Sequence, residues 1–156
     1  MKRTIIDICL ILVVYIVFGV CIYLAVNFNL PLQLEVVPKD GVDDAVFLES
    51  FNYWSLVVMG ISLLVVLCWY ILGAWGPKAH STPRGTWITI WLMGLVVTVA
   101  TGVVALFFGP QASQKAYILG LYFIGGGALF YYLATMLFSP VNIKYAIKGS
   151  KLLRRW

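Results

Sequence analysis

The chain has 156 residues, 62% of them hydrophobic and only 11% charged, with a formal net charge of +5 and a mean hydropathy of +0.96. Soluble domains carry roughly a quarter charged residues, and a chain this short leaves too much surface wet to hide so much apolar side chain in one soluble core. A soluble enzyme, a nucleic-acid binder and a disordered regulator are thereby excluded, and an all-α integral membrane protein is expected.

Four charge-free runs cover residues 8–34, 50–77, 85–114 and 116–143. A membrane helix needs about 20 mostly apolar residues, so each run holds one span and none holds two. The spans are predicted at residues 5–26, 53–75, 86–108 and 116–138, forming a transmembrane domain over residues 1–138. A barrel is excluded because its strands alternate in polarity, whereas these runs are apolar all round. In lipid each such segment must satisfy its own backbone, as a helix does.

The first span begins after Lys2 and Arg3 and closes at Asn27, Asn29 and Pro31. Its apolar stretch is too long for a signal-peptide core and lacks a small-x-small cleavage site, so it reads as a retained anchor. An outer loop over residues 27–52 follows. Leu32, Leu34 and Val36 alternate as in a short strand, and Pro38-Lys39-Asp40-Gly41 reads as a turn. Residues 42–51 have the pattern of an amphipathic helix lying on the membrane. The loop's acidic residues Asp40, Asp43, Asp44 and Glu49 lack the spacing of a calcium loop and read as a solvated face.

Gly76-Pro77 ends the second span, Gly109-Pro110 the third and Ser139-Pro140 the fourth, each proline disfavouring helix at the residue before it. Tyr53, Trp54, Trp69, Tyr70, Trp75, Trp87 and Trp91 gather at headgroup depth. Beyond Pro140, residues 139–156 are expected to form a basic amphipathic tail. A helix there places Lys144, Lys148, Lys151 and Arg155 on one stripe, facing anionic lipid headgroups or an acidic partner.

Orientation follows from the basic residues. Lys2, Arg3, Lys78, Arg84, Lys144, Lys148, Lys151, Arg154 and Arg155 fall on the side of the termini, against Lys39 and Lys115 on the other. This asymmetry places both termini in the cytoplasm. The compact loops suit a bacterial inner membrane.

Candidates for chemistry are few. His80 stands alone in the loop between the second and third spans, without the converging partners that metal or triad work requires. Cys9, Cys21 and Cys68 form no CxxC pair and read as small packing residues. Gly125-Gly126-Gly127 lies mid-membrane, where no phosphate loop can sit. Asp7 is the single ionisable residue near a span, shallow enough to reach headgroups or Arg3. No cofactor, metal ligand set or catalytic residue is assigned.

Small residues recur at helical spacing: Gly94, Thr98 and Gly102 with Thr101 on the third span, Gly120 and Gly127 on the fourth, and Ser55 and Ser62 on the second. Such spacing lets backbones approach closely, within the bundle or against another subunit. The expectation for function is a non-catalytic subunit that scaffolds, stabilises or regulates a larger envelope complex in secretion, polysaccharide export or energy transduction. Other membrane subunits are the expected partners, and nucleic acid is not. The alternatives are an oligomeric channel lined by Thr98 and Thr101, and a membrane immunity or exclusion protein.

Overall fold

A computed structural model describes residues 2–75, 83–140 and 143 of the chain. Helix α1 covers Lys2–Asn27, a short helix α2 Leu30–Gln33, strand β1 Val37–Pro38 and helix α3 Asp44–Trp75. Helix α4 covers Arg84–Phe108 and strand β2 Ala112–Gln114. The last span starts as helix α5 (Ala116–Gly120), widens into a π-helical segment over Leu121–Gly126, and ends as helix α6 (Gly127–Phe138). Among the described residues four helical stretches are thus long and apolar enough to cross a membrane: Thr4–Asn27, Asp44–Trp75, Arg84–Phe108 and Ala116–Phe138. They make this a multi-pass membrane protein of helical-bundle type.

The two connections at one end of the bundle are stitched together. Strands β1 and β2 pair antiparallel, Val37 opposite Gln114 and Pro38 opposite Ala112. The Lys39 amide donates to the Gln111 carbonyl at 3.0 Å, and the Ser113 hydroxyl donates to the Pro38 carbonyl at 3.0 Å. Lys115 and Glu35 close the same pair of connections with an ion pair. This loop end lies opposite the end at which Lys2 and Phe138 stand.

Three expectations for the first connection change. The segment expected to alternate as a strand is instead helical over Leu30–Gln33, with Pro31 early in the helix, where a missing amide is harmless. Strand character begins only at Val37. The amphipathic stretch after Val42 is no separate surface helix, because α3 runs unbroken from Asp44 to Trp75, 32 residues. At 1.5 Å per residue that is about 48 Å, well beyond the roughly 30 Å of hydrocarbon. Nothing between Phe51 and Tyr53 breaks the helix, and Phe47 and Phe51 are buried in the loop-end core. The connection therefore shrinks to residues 28–43.

The core has three parts. At the loop end Val26, Val36, Phe47, Phe51, Val58, Ala105, Leu119 and Phe123 pack together. Nearer the termini Ile11, Tyr15, Val66, Tyr70, Tyr131 and Ala134 form a second cluster. Trp69, Trp87 and Ile143 form a third, so Ile143 packs against α3 and α4. Helix α1 packs chiefly on α3.

Candidate functional site

The polar side chains of the spans mark where the helices are tied. Asp7 of α1 accepts a hydrogen bond from the Tyr70 hydroxyl of α3 at 2.7 Å. Tyr15 and Ser62 share a buried hydroxyl–hydroxyl bond of 2.9 Å between the same two helices. Between α4 and α6 the Trp91 indole donates to Thr135 Oγ1 at 2.9 Å, and the Tyr131 hydroxyl donates to the Trp91 carbonyl at 3.0 Å. The Trp69 indole of α3 reaches Ser139 Oγ at 3.3 Å, and its ring meets Trp87 edge-on at 5.8 Å between centroids. These links gather in the half of the bundle nearer the termini.

Toward the loop end the packing opens. An apolar cleft of about 360 Å³ lies between α1 and the last span, with α3 behind it. Helix α1 contributes Phe18, Ile22 and Ala25, one face at i, i+4 and i+7. Helix α3 contributes Phe51, Ser55, Val58 and Ser62, again a single stripe. The last span supplies Leu119, Tyr122, Phe123, Gly126 and Phe130, mostly from its π-helical turns. Rings close the deep end: Phe130 meets Phe18 at 4.3 Å and Tyr15 edge-on at 4.8 Å. Pro31 and Val36, both buried, line it at the loop end.

The two serines of the wall present no free hydroxyl. Ser55 donates to the Phe51 carbonyl at 2.7 Å, and Ser62 is engaged by Tyr15. The cleft thus offers apolar contact and little else. Its wall depends on the wider π-helical turn, a feature that often accompanies functional positions in helices.

The small residues singled out in the sequence are mostly consumed within the bundle. A Cβ on Gly94 would collide with the Tyr131 hydroxyl, and one on Gly102 with the Phe123 carbonyl oxygen. Gly127 sits 3.3 Å from Val58 and 3.6 Å from Thr98, counted from where its Cβ would be. Gly120 has only ordinary contact, with Leu106 at 3.8 Å. Thr98 is fully buried and donates to the Gly94 carbonyl at 3.0 Å. Thr101, partly exposed, donates to the Val97 carbonyl at 2.9 Å.

Asp40, Asp43, Asp44 and Glu49 are exposed, and among the described residues no three metal-ligating side chains converge. Asp44 stands in the first turn of α3, where its charge complements the helix dipole. Cys9, Cys21 and Cys68 are all exposed, against the expectation that they pack inside; only Cys21 borders the cleft. His80 and the basic tail residues Lys144, Lys148, Lys151 and Arg155 lie outside the described residues.

Sequence reasoning missed the cleft itself. Its one local sign was Gly125-Gly126-Gly127, three poor helix formers in a row, which end the π-helical turns. Ser55 and Ser62 were legible as a small-residue face, and Ser62 does bond across to Tyr15 of α1, but the same face also lines the cleft. Comparison with known protein families, with curated proteins and with solved structures finds no match.

Proposed function

We propose that this chain is a non-catalytic membrane subunit that scaffolds, stabilises or regulates a larger envelope complex in secretion, polysaccharide export or energy transduction. One observation carries the reading: hydroxyl, indole and carboxylate groups of the spans tie one helix to the next in Tyr70–Asp7, Tyr15–Ser62 and Trp91–Thr135. Such bonds contribute on average about 0.6 kcal/mol each in a membrane bundle and serve to fix helix positions. An enzyme or ion-coupled transporter would instead turn titratable groups toward a shared site. The channel alternative draws no support from Thr98 and Thr101, whose hydroxyls are bonded to carbonyls of their own helix.

In this reading the chain sits in a bacterial inner membrane with both termini cytoplasmic, following its basic residues. The tail carrying Lys144, Lys148, Lys151 and Arg155 rests on anionic headgroups. Extraction in mild detergent is expected to recover the chain with other membrane proteins at fixed stoichiometry. Recovery as a lone monomer at every detergent strength overturns the proposal.

A further inference from the structure

We propose that the cleft between α1 and the last span binds one acyl chain of a phospholipid from the leaflet on the loop side. This does not depend on the subunit reading. Four features of the cleft specify the ligand.

The first is length. Along α3 the lining runs from Phe51 to Ser62, about 16 Å at 1.5 Å per residue. That is close to half of the roughly 30 Å hydrocarbon thickness, the depth reached by the chains of one leaflet. The second is width. The cleft lies between α1 and the last span, which touch at Phe18 and Phe130. A slender hydrocarbon chain fits between helices so spaced; a further helix, about 10 Å across, does not.

The third is polarity. Ser55 and Ser62 are already bonded within the protein, and water needs two to four polar partners to occupy a cavity. Hydrocarbon is the favoured filling, and an acyl chain that enters from the lipid gains packing contacts with the apolar wall. The fourth is access. Phe18, Cys21, Tyr122 and Gly126 line the cleft and are themselves exposed on the flank of the bundle. The cleft therefore opens sideways, between two helices, into the lipid.

Gly126 shows how the space is kept. A Cβ there would meet nothing nearer than the Leu121 carbonyl oxygen at 4.0 Å, so close packing does not require this glycine. Its missing side chain holds the wall back from the slot. Gly125 also faces open space, but outside the lining, and so provides a matched control.

The test uses the full chain in phosphatidylcholine vesicles doped with a phospholipid bearing a diazirine at the end of one acyl chain. A second probe carries the diazirine next to the ester. On illumination the terminal probe is expected to label peptides containing Phe18 and Phe130, and the ester-side probe those containing Leu34 and Ile118. Gly126→Leu, or Ile22→Trp from the opposite wall, should lower this labelling about tenfold, since the added side chain occupies the slot and a chain forced in beside it is overpacked. Gly125→Leu should leave it unchanged. Labelling spread evenly over exposed residues such as Val96 and Phe107 overturns the proposal. So does labelling insensitive to both filling variants, or lost equally in Gly125→Leu.

Discussion

Asn29, Glu35 and Lys115 hold left-handed backbone, with φ of 53°, 58° and 54°, and they are the non-glycine residues that do so among those described. Asparagine tolerates this region, but other side chains lose about 1–2 kcal/mol to the close approach of Cβ and carbonyl. Glu35 and Lys115 are also each other's partner. The Lys115 hydrogen bond, reinforced by its charge, holds the Glu35 carboxyl below its ordinary value of 4.5. The same bond holds the Lys115 ammonium above its ordinary value of 10.5. The Glu35 contribution is therefore present above pH 4.5 and fades as pH falls through the lowered value. The Lys115 contribution is present below pH 10.5 and fades as pH rises through the raised one. An exposed pair of this kind stabilises little, so backbone conformation decides the effect of substitution. Glycine at position 35 or 115 should give a protein about 1 kcal/mol more stable than alanine at the same position, read from denaturant unfolding in micelles. Carbon-detected titration of Glu35 should show a midpoint below 4.5 that returns to the ordinary range in Lys115→Gly. Equal stability of the glycine and alanine variants would contradict the backbone argument.

The π-helical segment of the last span is held in place by α4. A Cβ on Gly102 would stand 2.5 Å from the Phe123 carbonyl oxygen and 3.0 Å from the Ile124 Cα, backbone atoms that cannot swing aside. Gly102→Ala should therefore destabilise the bundle by about 1–3 kcal/mol. Gly125→Ala, with open space around it, should instead leave stability unchanged or raise it by up to about 1 kcal/mol, since alanine is the better helix former. Thermal unfolding in detergent separates the two, and an equal response would mean that α4 does not brace the π-helical turns. The same residues show what a sequence reveals. The C-terminal ends of the first, third and fourth spans were legible because hydropathy and the breakers Asn27, Pro110 and Pro140 are local signals, whereas the start of the second was placed nine residues late. The Gly94–Thr98–Gly102 face was legible as a close contact, though not as a contact with the π-helical turns. The cleft was not legible, since it arises where α1 and the last span part, which no single segment encodes. The α2 turn was misread because alternation over Leu32, Leu34 and Val36 matches a strand, while Pro31 at a helix start and the left-handed Asn29 decide otherwise.

At the scale of the molecule, the strand pair and ion pair at one end unite two connections that lie about 75 residues apart in sequence, as the contact between Ser113 and Pro38 measures. Two hairpins of spans are thereby joined at the loop end, while the indole and hydroxyl links of Trp69, Trp91, Tyr131 and Thr135 join them nearer the termini. The slot for hydrocarbon lies between these two fastened ends, and this arrangement lets the helices part without separating the bundle. Because the strand pair involves both connections, they must face the same side of the membrane. The sign of that side is a proposal from the sequence: the two loop-end connections carry Lys39 and Lys115, and the other nine Lys and Arg of the chain fall outside them. Cysteine placed at Gly41, in a chain whose Cys9, Cys21 and Cys68 are changed to serine, should react with a membrane-impermeant maleimide in intact spheroplasts. Cysteine at Ser150 should react only after the membrane is opened. Labelling of Ser150→Cys in intact spheroplasts with Gly41→Cys protected would reverse the orientation, and would move the hydrocarbon slot to the cytoplasmic leaflet.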